Sequence, residues 1–230
     1  MKHLNLHPLL EHYRKEIEAT LKPVVRITAT PGKTLLWQSK FGGYPYILQD
    51  MPIEYFNYAT RYRETPFPYP RNTETGEELY LLAQINFEEI PHIEPFPTKG
   101  LLQIFIDFNA GEYGRKSSLT DQTAFRIIYH PKVIKDESLL FTDFSTVSEI
   151  KFNGKEIECK LNFQESIEPI SSSDFRFEKI YPKSLKDKLY YPDKIYAYEV
   201  ICSYMELTNG EDGYNKNKIG GYHYSQNHQD

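Results

Sequence analysis

A pair of adjacent glycines occurs twice in this chain, each time within nearly the same seven residues. KFGGYPY occupies residues 40 to 46 and KIGGYHY occupies residues 218 to 224, so five of seven positions agree across a separation of 178 residues. Adjacent glycines adopt backbone angles that other residues avoid, and the flanking tyrosines are suited to packing against a sheet. Because chance rarely produces such a pair, the repeat predicts two structural units that pack on each other.

Alternation of apolar and polar residues predicts that most of the remaining regular structure is β-strand. The pattern is clearest at Leu81 to Phe87 and at Leu102 to Phe108. Asn153-Gly154 suits a two-residue turn and predicts a hairpin between residues 149–152 and 155–163. Further strands are expected at Val24 to Thr28, Thr34 to Gln38 and Ala124 to His130.

Helices are expected near the two ends of the chain. The apolar residues of the first recur at steps of three and four, as in an amphipathic helix: Leu6, Leu10, Tyr13, Ile17 and Leu21. Asp193 is expected to cap a second helix that runs to about Thr208. These patterns predict an α+β fold with a mostly antiparallel sheet, an N-terminal amphipathic helix and an internal duplication. We expect one domain over residues 1–230, with repeat units of about 1–130 and 131–230.

The charge balance argues against binding to a phosphate backbone. Lys and Arg number 27 against 32 Asp and Glu, which gives a formal net charge of −5. The N-terminal segment is interrupted by charged residues too early for a signal peptide, and no apolar run is long enough to span a membrane. We therefore expect a cytoplasmic protein with neither nucleic acid nor membrane as a partner.

The order of the motifs resembles the bacterial YwqG-like family. The matching segments are KFGGYPY at 40–46, LLAQINF at 81–87, GLLQIFI at 100–106 and KIGGYHY at 218–224. The resemblance implies two repeat units and no agreed biochemical activity. It also implies a strand pair after the second GGY segment, whereas the sequence ends at Asp230. We therefore expect an incomplete second unit whose unpaired C-terminal sheet edge forms a homodimer.

No complete catalytic or cofactor motif is found in the sequence. Asp107, Asp121 and His130 would form an acid-base or metal centre only if the strands that carry them were neighbours. Pro91 breaks the helix that a zinc motif around His92 would require. We expect no cofactor and no metal site, and the sequence leaves enzyme activity open.

Two functions are compatible with these features. The first is a non-catalytic protein- or peptide-binding module that uses residues 50–70 and the sheet face near the first repeat, since this segment is rich in proline and in the aromatic and arginine residues typical of interfaces. Its expected interaction residues are Tyr55, Tyr58, Tyr62 and Arg63. The alternative is a small-ligand-binding protein or enzyme with a pocket between the two repeat units. Its expected ligand-binding residues are Lys40, Tyr44, Gln84 and Asp107.

Overall fold

Two compact units make up the fold in the computed structural model. The structure describes residues 4–51, 69–110, 120–145, 147, 151–152, 155–171, 174–190, 196–209 and 217–222. The terminal unit comprises Met1–Thr28 with Phe163–Asp230, and the central unit comprises Ala29–Asn162. The expected single domain with repeat units of about 1–130 and 131–230 stays a prediction.

Strands dominate the regular structure, and the α+β class is confirmed. The strands are β1 Lys22–Pro31, β2 Lys40–Gly42, β3 Tyr80–Asn86, β4 Leu101–Ile106, β5 Phe125–His130, β6 Lys151–Phe152, β7 Lys155–Glu156, β8 Glu158–Glu168 and β9 Lys218–Gly220. The α-helices are α1 Arg14–Glu18, α2 Phe177–Ile180, α3 Lys183–Tyr190 and α4 Tyr196–Asn209. Short 3₁₀ helices cover Pro8–Tyr13, Phe87–Glu89 and Glu137–Leu139.

A seven-stranded sheet has the order β5-β4-β3-β2-β8-β1-β9, and β6 pairs with β7 in a separate hairpin. Strand pairs β1–β9, β2–β3, β2–β8, β3–β4 and β4–β5 are antiparallel. The homodimer expected through the C-terminal edge stays a prediction, although β9 does stand at one end of the strand order. None of the described helices is both long and apolar enough to cross a membrane.

The expected strands β3 to β5 and the helix α4 are confirmed, while the Asp193 cap lies outside the described residues. The hairpin expected between residues 149–152 and 155–163 is confirmed only as the short β6–β7 pair, because the chain from Glu158 onward forms β8 and pairs with β2 instead. The N-terminal helix is present as a 3₁₀ helix followed by the short α1, and its first turn begins at Pro8. The strand expected from Thr34 to Gln38 is wrong, because this segment forms a turn in which the Gln38 N–H donates to the Leu35 carbonyl. The side chain of Gln84 donates hydrogen bonds to two carbonyls of this segment, which a strand would have used for pairing.

The sheet of the central unit buries one face in an apolar core. Leu81, Phe105 and Ile128 lie on this inner face and pack with Ile47 and Phe144. A β-bulge between residues 81 and 83 shifts the register of β3 against β4. The bulge means that residues after it alternate in the opposite phase from residues before it.

The terminal unit is organised around the N-terminal helices. Leu10 and Ile17 are fully buried against Ile170 and Phe177. Leu6 and Tyr13 are also buried, so four of the five residues that defined the expected apolar stripe lie in this core.

Candidate functional site

The first repeat begins in β2 and needs glycine for two reasons. Gly42 and Gly43 have φ angles of 66° and 68°, a region that side chains disfavour. A Cβ atom on Gly42 would lie 2.0 Å from the backbone oxygen of Ile157, and one on Gly43 would lie 2.7 Å from Cγ of Glu158. The second glycine is therefore covered by a glutamate side chain of β8.

The second repeat has the same local form. Gly220 and Gly221 have φ angles of 77° and 70°. A Cβ atom on Gly221 would lie 2.1 Å from Oε1 of Glu168, so a glutamate of β8 covers the second glycine here too. This likeness concerns the repeats and their glutamates, and a duplication of the whole chain stays a prediction.

The lysines of the two repeats have different partners. Lys40 is 1% exposed, and its Nζ donates to the carbonyl oxygen of Tyr44 at 3.0 Å. Burial lowers the pKa of Lys40 to about 8, although Glu158 and Glu89 act in the opposite direction. Lys218, in contrast, places its Nζ 2.6 Å from Oε1 of a glutamate in an ion pair.

That glutamate, Glu168, is fully buried and serves three partners. Its Oε1 accepts the N–H of Tyr222 at 2.7 Å in addition to the contact with Lys218. Its Oε2 lies 3.0 Å from Nη2 of Arg26. A single carboxylate thus holds two cations and one backbone amide of the second repeat.

Beside the first repeat, the side chain of Gln84 occupies the centre of a buried hydrogen-bond network. Its Oε1 accepts from the N–H of Tyr46 and from Nε2 of Gln103, both at 2.9 Å. Its Nε2 donates to the carbonyls of Leu36 and Gln38 at 2.7 and 2.8 Å. All the hydrogen-bonding positions of this amide are therefore used, and they fasten residues 36–46 to the sheet.

The network continues from Gln103 to His130. Gln103 donates to the Tyr46 carbonyl at 2.9 Å, and the His130 ring contacts Oε1 of Gln103 at 3.0 Å. Burial lowers the pKa of His130 to about 4, so the ring is neutral and its Nε2–H donates this bond. The Tyr46 ring lies edge-on to His130, and its hydroxyl accepts the N–H of Ile134. Sequence reasoning missed this role, although the facing polar residues in two apolar strands were its signal.

Of the four expected ligand-binding residues, the structure brings three together. Lys40 and Gln84 are directly paired across β2 and β3. Tyr44 follows in the same segment, 44% exposed and stacked on Phe144 with ring centroids 4.5 Å apart. Asp107 lies past the end of β4, about 15 Å along the sheet from Gln84. A ligand-binding role for the four stays a prediction.

Asp107 instead organises a turn. It accepts from Nδ2 of Asn72 at 2.7 Å and from the N–H of Asn109 at 2.8 Å. Its strand and β5 are neighbours, as an acid-base centre with Asp121 and His130 would require. The antiparallel register nevertheless pairs His130 with Leu101 at the start of β4, whereas Asp107 follows its end, about 20 Å away. Asp107 and His130 therefore do not form a common centre.

The expected interaction residues lie outside the described residues: Tyr55, Tyr58, Tyr62 and Arg63. A different apolar surface is described, on the side of β4 and β5 that faces away from the inner face. Ile104 pairs with Ile127, and Leu102 pairs with Tyr129. Ile127 is 52% and Tyr129 is 41% exposed. We call this surface the outer face; its members on the two strands are Leu102, Ile104, Phe125, Ile127 and Tyr129.

Among the described strands, β5 also comes last in the sheet order. Only alternate residues of β5 form backbone hydrogen bonds with β4. The backbone N–H and C=O of Ile127 point away from β4. The Ile127 N–H meets Oε1 of Gln122 at 3.3 Å. The outer face therefore lies beside a strand edge. At this edge the side-chain amide of Gln122 accepts a backbone hydrogen bond that a neighbouring strand would otherwise accept.

Comparison with known families assigns residues 39–230 to a domain of unknown function, DUF1963. The chain belongs to the DUF1963 family. The DUF1963 match begins next to Lys40 and includes both repeats, the buried amide network and the outer face. Comparison with curated proteins finds no match.

Proposed function

We propose that this DUF1963 protein is a non-catalytic protein- or peptide-binding module. In this proposal an extended apolar segment of a partner protein docks along β5 and covers the outer face. The observation that carries the proposal is the exposure of Ile127 and Tyr129 beside the last strand of the sheet.

The first argument concerns apolar area. Five apolar side chains from two adjacent strands lie side by side on the outer face, and the two on β5 with the greatest exposure are large. Contiguous apolar patches on a protein surface commonly mark interaction sites. Full burial of a side chain such as Ile127 contributes about 1.5–3 kcal/mol, and because Ile127 is 52% exposed, a partner that covers it gains about half of that.

The second argument concerns the strand edge. Edge strands are usually protected by lysine or proline, and β5, with the sequence FRIIYH, contains neither. An extended peptide adds to such an edge through backbone hydrogen bonds, while alternate side chains supply specificity. An apolar peptide therefore fits both the edge and the adjacent outer face.

We also propose that the chain belongs to a particular group within its family and that it arose by internal duplication. Within the DUF1963 family, the order of the four motifs supports membership of the YwqG-like group, and the two repeats support descent from an internal duplication. Cys159 and Cys202 are both free thiols, which supports a cytoplasmic location.

Selection from a displayed library of random linear peptides tests the docking proposal. We expect apolar peptides that bind the purified chain and lose affinity about tenfold or more when Ile127 is replaced by lysine, because the charge removes an apolar anchor. The matched control is Leu139→Lys. Leu139 is 49% exposed but lies in a 3₁₀ helix rather than on the outer face.

Binding that Ile127→Lys and Leu139→Lys weaken equally would contradict docking at β5, as would a library that yields no binder. Circular dichroism of both variants checks that the sheet is intact. Since Ile127 points away from the inner core, the substitution leaves the β4–β5 hydrogen bonds in place.

A further inference from the structure

Arg126 is a buried cation without an acidic partner among the residues that the structure describes. It lies on β5 opposite Phe105, next to the residues of the inner core, and is 9% exposed. Its Nη2 donates to the carbonyl of Gln122 at 3.3 Å, a long hydrogen bond. Its Nε is buried and has no hydrogen-bond partner within the described part of the chain.

Other arginines in the fold show how a buried guanidinium is usually neutralised. Arg71 also has an unpartnered Nε, but its Nη2 lies 2.6 Å from Oε1 of Glu78 and its Nη1 donates to the Gly76 carbonyl. Arg26 is paired with Glu168. For Arg126, burial lowers the pKa, and no neighbouring acid opposes that effect.

An uncompensated buried charge is costly, and native structures seldom retain one. Nearly all buried polar atoms in proteins find a partner, so the orphaned Nε calls for one. The guanidinium fork matches the two oxygens of a carboxylate or phosphate group, and the adjacent Phe105 and Ile128 provide an apolar wall that strengthens such a contact. Arg126 lies on the last strand of the sheet order among the described strands.

We propose that Arg126 is an anion-binding site, in which the N–H groups of Nε and of one Nη donate hydrogen bonds to the oxygens of a ligand carboxylate or phosphate. The site is independent of the peptide docking proposed for the outer face, because Arg126 lies on the opposite side of β5 from Ile127 and Tyr129. Carboxylates and phosphates share the required geometry, and the two are distinguished by experiment.

Nuclear magnetic resonance of the full chain labelled with ¹⁵N-arginine tests this site directly. Acetate, methyl phosphate and inorganic phosphate are titrated at constant ionic strength, with chloride as the reference anion. We expect the Nε–H signal of Arg126 to shift in a saturable manner with at least one of the three anions. The signal is assigned by its loss in Arg126→Met.

Thermal unfolding supplies a second readout. At a hundredfold excess over its dissociation constant, the bound anion should raise the melting temperature by roughly 5–10 °C. This rise should vanish in Arg126→Met and persist in Arg176→Met, since Arg176 is already paired with Asp174 at 2.6 Å. If the methionine variant does not fold, Arg126→Lys retains the charge without the planar fork and should lose most of the anion-dependent rise.

A signal that moves with none of the three anions beyond the chloride reference would overturn the proposal. An anion-dependent rise in melting temperature that is as large in Arg126→Lys as in the parent chain would overturn it as well, because the planar fork would then be irrelevant. A response to acetate alone identifies a carboxylate site, and a response to the phosphates alone identifies a phosphate site.

Discussion

The two glycine repeats share a backbone form but differ in charge balance. In the first, Lys40 is buried with a carbonyl oxygen as its partner, while Glu158 binds Thr34 and the exposed Lys33. In the second, Lys218 shares a fully buried glutamate with Arg26. The difference shows that the glycines determine the local chain path, whereas residues outside the repeat determine whether its lysine is neutralised.

The largest expected difference between the repeats is in their glutamates. Replacing Glu168 by glutamine leaves two cations around a neutral group in the interior, so we expect a loss of about 3–5 kcal/mol in the free energy of unfolding. Glu158→Gln keeps an oxygen that accepts the Thr34 N–H and hydroxyl bonds, and we expect a loss of about 1 kcal/mol. Urea unfolding of both variants measures the two losses. Equal losses would show that the charge balance of the repeats is the same.

The buried Lys40 of the first repeat should make the stability of the chain depend on pH. Lys40 has a folded pKa of about 8 against 10.5 for the free side chain. The unfolded chain therefore binds more protons between these pH values, and stability rises with pH from about 8 to 10.5 by roughly 3 kcal/mol. Lys40→Met should abolish this rise and leave stability at pH 7 within about 1 kcal/mol of the parent chain.

Lys218→Met is the matched control for that measurement. It removes one of the two cations from Glu168, so we expect a loss of about 2 kcal/mol at pH 7. The rise between pH 8 and 10.5 should persist, because Lys40 is unchanged. A rise that survives Lys40→Met would assign it to another group and remove this distinction between the repeats.

The smallest expected difference concerns the tyrosine that follows each glycine pair. The hydroxyl of Tyr222 is buried and donates to the Thr20 carbonyl, so Tyr222→Phe should cost about 1–2 kcal/mol. Tyr44 is partly exposed and packs through its ring on Phe144, which phenylalanine preserves. Tyr44→Phe should therefore change the melting temperature very little, and a large fall would mean that its hydroxyl has a structural role.

The sequence predicts those parts of the fold that depend on local pattern. Alternation identified β3 and β4, and the Asn153-Gly154 dipeptide located the β6–β7 hairpin. Thr34 to Gln38 was wrong because a distant side chain, Gln84, binds the carbonyls of that segment. Such a contact crosses more than 40 residues and leaves no periodic signal in the segment itself.

The candidate site was harder to predict than the fold. Gln84 was expected to contact a ligand, but every polar atom of its amide is used inside the protein. The isolated character of Arg126 was invisible in the sequence, since Asp107, Asp121 and Glu78 are all acidic residues that could have paired with it. Only the register of β4 against β5 and the partners of those acids reveal that the arginine has none of them.

Gln122 links two features of the sheet edge. Its side-chain oxygen accepts the Ile127 N–H, and its backbone oxygen accepts Arg126 Nη2. An incoming strand has to displace that amide, so it exchanges one hydrogen bond for another at this position instead of gaining one. Non-specific strand pairing between copies of the chain therefore gains little at this position. A partner that also covers Ile127 and Tyr129 gains the burial of their apolar surface. The side chain of Gln122 acts only at the edge and its backbone carbonyl acts only at Arg126, so the two sites can be occupied independently.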